Sequence, residues 1–110
     1  MNERPAPLSA AHLARLRRDL ARQGMSVNER LTNLLAGMNG RLLDMKMPHE
    51  RKPGLRPEEK LRRYLDQIIR AQRRLGTETW GVCVTCGAQL AQAQLDDAPW
   101  QEECDRCLAE

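Results

Sequence analysis

Helical periodicity fills the first three quarters of the chain. Ser9, whose hydroxyl suits a helix N-cap, precedes Leu13, Leu16 and Leu20 on one face of a first helix that Gly24 closes. Ser26-Val27-Asn28-Glu29 then has the form of a capping box, in which hydroxyl and carboxylate satisfy backbone donors at a new helix start. The apolar positions that follow, Val27, Leu31, Leu34, Leu35, Met38, Leu42 and Met45, recur at helical steps and predict a second helix ending before Pro48. Gly37 and Gly40 each weaken it by roughly 1 kcal/mol relative to Ala, marking a bend or a close helix approach. Residues 47–56 hold two prolines and a glycine and read as a loop. Pro57, Glu58 and Glu59 open a third helix, with Leu61, Leu65, Ile68, Ile69 and Leu75 as its apolar stripe and Gly76 at its exit.

Two helices of about 20 residues, each roughly 30 Å long, joined by such a loop are expected to pack antiparallel as a helical hairpin with the loop as its tip. The expected fold is therefore mainly α. An N-terminal segment with a short helix occupies residues 1–25, an antiparallel hairpin or coiled-coil arm occupies 26–76, and a small four-cysteine unit occupies 80–110.

That last unit carries the most specific chemistry. Cys83 and Cys86 form one Cys-x2-Cys knuckle and Cys104 and Cys107 another, with seventeen residues between them. Two thiolates from one tight turn can reach one ion, and Gly81 and Gly87 stand where the backbone must curl close to sulfur. Four soft sulfurs favour one tetrahedral Zn2+ and leave no open position, so the site reads as structural. A redox dithiol pair, an iron site and two disulfides are the alternatives, and none accounts as well for both knuckles.

Composition narrows the setting. The 110 residues include no Phe, so the core rests on Leu, Ile, Val and Met, and it is modest in size. A finger this small depends on its metal, worth roughly 10 kcal/mol or more of apparent folding free energy. With no signal-peptide pattern and no apolar run of about 20 residues, the expectation is a soluble cytoplasmic chain. Charge is divided unevenly: residues 1–79 carry 17 Lys and Arg against 9 acids, and residues 80–110 carry 1 Arg against 6 acids, which together give the net +3. Four thiolates and one Zn2+ make the finger more acidic still, which argues against direct sequence-specific DNA reading by it.

On the third helix, Glu58–Arg62, Glu59–Arg63 and Asp66–Arg70 are spaced as i, i+4 ion pairs. The surplus cations, Arg15, Arg17, Arg18, Arg73 and Arg74 among them, could dock an acidic protein or a phosphate backbone. His12 and His49 are remote from the cysteines and neither is needed as a ligand, and His49 in the loop reads as solvated polar surface. No nucleophile triad, phosphate-binding glycine loop or dinucleotide fingerprint is present, so no enzymatic activity is expected.

Trp80-Gly81-Val82-Cys83-Val84-Thr85-Cys86-Gly87, then Leu90, Leu95, Ala98-Pro99 and Cys104-Asp105-Arg106-Cys107, resembles the DksA/TraR-type zinc finger. The resemblance covers residues 80–107, and the helices before it are similar in order to that family's coiled-coil arm. It implies a transcription regulator that binds RNA polymerase through its arm, reaching into the secondary channel, with the finger as scaffold at the arm's base. The acidic DxxDxA tip motif of DksA-like members is missing. Asp44, about forty residues before Cys83, and the loop residues His49, Glu50, Arg51 and Lys52 are the tip positions the resemblance leaves, and a response to guanosine tetraphosphate is not carried over. Trp80 replaces the usual Tyr or Phe, Gln94 stands where Arg is common, and contacts of a longer C-terminal helix are not inherited. The rival expectations are a protein-interaction module with another acidic partner and nucleic-acid binding by the basic arm.

Overall fold

A computed structural model describes residues 8–37, 46–48 and 52–109. Among them the chain is mainly helical. The only β-type pairing there is an isolated antiparallel bridge between Val82 and Gln89. Four helices follow in order among the described residues: α1 (Ala10–Leu35), α2 (Pro57–Arg74), α3 (Gln92–Asp97) and α4 (Asp105–Leu108). No helix among the described residues is long and apolar enough to cross a membrane.

Ser9 caps α1 as expected, its Oγ accepting from the His12 backbone N–H at 3.1 Å. The expected break at Gly24 does not occur: α1 runs unbroken through 26 residues, and Ser26 and Glu29 lie in its interior rather than at a helix start. The capping-box reading is thereby corrected, and with it the boundary at residue 25. The reason is energetic. Gly and Ser in a helix interior cost roughly 0.5–1 kcal/mol each. Leu16, Leu20, Val27 and Leu31 all bury on one stripe of the continuous helix, each contributing about 1.5–3 kcal/mol. A break at Gly24 would set the two halves of that stripe at different angles. The helix stops at Leu35 instead, where Gly37 turns with φ +82°. The second-helix positions Met38, Gly40, Leu42 and Met45 lie outside the described residues.

α2 starts and ends as the sequence predicts. Pro57 opens it, Glu58 and Glu59 occupy the first turn, Arg73 and Arg74 the last, and Gly76 follows with φ +82°. Its buried side matches the predicted stripe at Leu61, Ile68 and Leu75 and departs from it at the remaining positions. Leu61, Tyr64, Ile68, Ala71 and Leu75 are buried, whereas Leu65 is half-buried and Ile69 exposed. The buried set alternates steps of three and four, the spacing of a heptad seam. α1 answers with Leu13, Leu16, Leu20, Gln23 and Val27 at the same alternation. Contacts along the seam advance on α1 as they retreat on α2: Leu13 lies beside Gly76, and Gly24 and Gln23 beside Ile68 and Tyr64.

A polar pair interrupts the apolar seam. Tyr64 is fully buried, and Gln23 Nε2 donates to its hydroxyl at 2.7 Å. Burial drives the Tyr64 pKa well above that of a free phenol, with the Gln23 bond opposing in part, so the side chain is a neutral hydroxyl. Trp100, from the cysteine-bearing unit, joins the same core and meets Tyr64 edge-on, with ring centroids 5.3 Å apart and planes at 63°. Ala98 and Trp100 thus carry the C-terminal unit into the helical core, with Trp80 packed partly against it.

Candidate metal centre

The two knuckles are built from short-range backbone geometry. In the first, the Gly87 N–H donates to the Cys83 carbonyl at 2.9 Å and the Cys83 N–H to the Ala88 carbonyl at 2.8 Å. Gly87 has φ +78°, a conformation that favours glycine. Gly81 enters the knuckle with φ +76°, and a Cβ there would stand 2.8 Å from Gln89 Nε2 and 3.1 Å from Leu95 Cδ1. The conformation favours glycine at 81, and a Cβ there would have to displace the Gln89 amide that donates to the Gly81 carbonyl at 2.8 Å. The second knuckle begins at Cys104, the N-cap residue of α4, and places Cys107 one turn on.

These turns bring all four Sγ atoms within 4.8 Å of one another. Cys86 and Cys104 Sγ lie 3.7 Å apart. A tetrahedron with Zn–S bonds of about 2.3 Å has S···S edges of about 3.8 Å, so this separation fits a shared ion. It is far too long for a bond between sulfurs, and none of the four cysteines is in a disulfide. Cys83 and Cys107 are buried, Cys104 half-buried and Cys86 exposed. The predicted ligand set is thus gathered in one place, and its chemistry fits one tetrahedral soft-metal ion held by Cys83, Cys86, Cys104 and Cys107.

Burial pushes the Cys83 thiol up, but hydrogen bonds from the backbone of Cys104, Cys86 and Thr85 and from the Cys86 thiol outweigh it and hold its pKa at about 6. Cys107 moves the other way: its hydrogen bond to Cys104, its burial and its contacts with Cys86 and Cys83 all raise it. A divalent cation among the four sulfurs would favour the thiolate form of all of them.

Around this centre, acids of the C-terminal unit meet cations of the helical part. Asp96 on α3 takes His12 Nε2 at 2.7 Å and Arg15 Nη2 at 2.9 Å. Asp97 takes Lys46 Nζ at 2.6 Å. Glu102 takes Arg70 Nε at 2.6 Å and Arg74 Nη1 at 3.5 Å. His12, which sequence spacing only set apart from the metal ligands, is half-buried and joins the first turn of α1 to α3 across 84 residues. Arg15 and Arg74, read as surplus cations, are engaged within the chain. Of the expected helical pairs, Glu58–Arg62 forms at 3.1 Å; Glu59 also takes Arg56 at 3.1 Å, and Arg70, attracted by Asp66, bonds across to Glu102 at 2.6 Å. Opposite net charges on the two halves hinted at this match, but no spacing rule could pair residues so distant in sequence.

A groove of about 440 Å³ lies beside the centre, between α2 and residues 100–103, and its walls mix Lys60 and Arg63 with Asp66 and Glu103. The proposed tip positions Asp44, His49, Glu50 and Arg51 lie outside the described residues, and Lys52 is exposed.

Comparison with known proteins finds no matching family model and no matching solved structure. A curated lipase chaperone from Burkholderia vietnamiensis (strain G4 / LMG 22486) is 30% identical over 102 residues, covering 86% of this chain and 30% of the relative. The chain therefore spans less than a third of the length of the curated relative it matches.

Proposed function

We propose that this chain is a non-enzymatic, cytoplasmic regulator of the DksA/TraR type. It holds one structural Zn2+ and acts by presenting a helical arm to RNA polymerase. The observation that carries the reading is the closed set of four thiols within 4.8 Å, on the motif of residues 80–107 and beside a helix pair with heptad spacing. A bound Zn2+ would supply structural cross-linking only, because four sulfurs complete its shell. The helices are then the working surface, α1 and α2 being the two legs of an antiparallel hairpin arm. Its tip is sought among Asp44, His49, Glu50, Arg51 and Lys52.

The test is binding of the zinc-loaded chain to core RNA polymerase, with and without a competitor known to occupy the secondary channel. Competed binding that weakens when residues 49–52 are exchanged, while zinc stays bound, supports the reading. Binding that the competitor leaves intact, or no binding, overturns it.

A second reading, an interaction module for a different acidic protein, is favoured by the exposure of Arg17, Arg18 and Arg73 on the helices. Nucleic-acid binding by the arm has less support. Tyr64, the one aromatic residue before Trp80, is sealed in the seam and cannot stack on a base. Acids of the C-terminal unit also engage several of the helical cations.

A further inference from the structure

Residues 100–103 are bonded on both sides. Toward α2, the Trp100 carbonyl accepts from Gln67 Nε2 at 3.0 Å. The Glu102 carboxylate accepts from Arg70 Nε at 2.6 Å and Nη2 at 3.4 Å and from Arg74 Nη1 at 3.5 Å. Toward the first knuckle, the Glu102 carbonyl accepts from the Val84 N–H at 2.9 Å, and Glu103 Oε2 accepts from Thr85 Oγ1 at 2.7 Å. The segment then enters the second knuckle at Cys104. Glu102 therefore touches α2 with its side chain and the first Cys-x2-Cys turn with its backbone, two residues from a third thiol. Glu102 and Arg74 are largely shielded, at 18% and 16% exposed, so their attraction is less screened than that of a surface pair.

We propose that residues 100–103 form a strap coupling metal occupancy of the four-cysteine centre to the last two turns of α2, with Glu102 as its positioning residue. The proposal rests on the metal reading above. An ion drawing the four sulfurs together fixes the separation of the two knuckles, and so the place of the strap between them. The strap then holds Arg70 and Arg74. Release of the ion frees the knuckles to separate, and the two guanidinium groups lose their shared carboxylate. The cationic end of α2 thus becomes available in the metal-free form and is engaged in the loaded form. Coupling of this kind is reciprocal: if the ion strengthens the clamp on α2, the clamp must strengthen the ion by the same factor.

The experiment measures Zn2+ affinity by competition with a chromogenic chelator, together with amide exchange of residues 70–75. It compares the wild-type chain with Glu102→Gln, the double variant Arg70→Met/Arg74→Met, and Arg73→Ala as control. Arg73 is an exposed cation on the same helix, and its removal changes net charge without touching the strap. The wild-type chain should bind one Zn2+ and lose protection at 70–75 when it is removed. Glu102→Gln and the double variant should bind Zn2+ about tenfold more weakly, and their 70–75 amides should exchange quickly even when loaded. Arg73→Ala should match the wild type. Equal affinity in all four chains overturns the strap while leaving the metal site standing, as does an equal loss in Arg73→Ala, which would indicate long-range charge alone. Absence of Zn2+ binding in the wild type overturns both.

Discussion

The buried Gln23–Tyr64 pair permits a quantitative test of how the two long helices are held in register. The Tyr64 hydroxyl is sealed from solvent, whereas Gln23 is half-buried, so the two partners differ in what they lose when the other is removed. Replacing Tyr64 by Phe deletes one hydrogen bond and leaves an amide that water can still reach, for an expected cost of about 1 kcal/mol. Replacing Gln23 by Met strands a fully buried hydroxyl, and the desolvation penalty raises the cost to about 2–3 kcal/mol. Removing both partners together should cost well under the sum, about 0.5–1 kcal/mol, because no orphaned polar group remains. The expected interaction energy in the double-mutant cycle is thus about 2–3.5 kcal/mol. Urea denaturation of all four chains at one fixed excess of Zn2+ measures it, since metal linkage is then constant. Additive costs, or a Tyr64→Phe variant less stable than Gln23→Met, would refute the argument from burial.

Three further outcomes follow from the geometry. Cys83→Ser and Cys104→Ser should each abolish stoichiometric Zn2+ binding and the amide protection of residues 81–109, while most of the helical circular dichroism from α1 and α2 persists. Gly81→Ala should cost about 2–3 kcal/mol, from a positive φ plus contacts at 2.8 and 3.1 Å, against about 1 kcal/mol for Gly87→Ala, where only the positive φ is at stake; thermal melts of the two variants distinguish them. The hydrogen bond from His12 lowers the Asp96 pKa, burial opposes it, and Gln92 and Arg15 lower it further, so the folded value lies below the unfolded one. This contribution is present above the unfolded Asp pKa, near 3.9, and is lost as pH falls through the folded value. For a half-buried pair still open to solvent it is under about 1 kcal/mol, and Asp96→Asn should flatten that part of the acid stability profile.

The ionic contacts show why the helical half is basic and the C-terminal half acidic. Asp96, Asp97 and Glu102 meet His12, Arg15, Lys46, Arg70 and Arg74, so part of the charge that suggested an external acidic partner is answered inside the molecule. Trp80 presents the opposite case. Its Nε1 is buried with no hydrogen-bond partner among the described residues, a cost of about 1–3 kcal/mol for which the fold shows no local compensation.

Local chemistry was legible where a residue's role depends on its immediate neighbours. The two Cys-x2-Cys knuckles, the glycine at 81, the Ser9 cap and the start of α2 at Pro57 could all be read from the chain. Each is set by steric or hydrogen-bonding rules acting within four or five residues. Other features needed partners from elsewhere. Ser26 and Glu29 carry a valid capping signal, yet burial of Leu16, Leu20, Val27 and Leu31 against α2 holds one helix through it. Leu65 and Ile69 are as apolar as the residues that won the seam. Tyr64 and Ala71 were buried instead because Gln23 offered the hydroxyl a partner and a three-four alternation suits a facing helix. Trp100 gave no local signal, since its place depends on Tyr64, thirty-six positions earlier. His12 and Glu102 became joints because folding brought Asp96, Arg70 and Arg74 to them. The sequence by itself determined which groups could bind a metal, turn or cap; the tertiary structure decided which helix face is buried and which charges meet, because those depend on free energies summed over residues far apart in the chain.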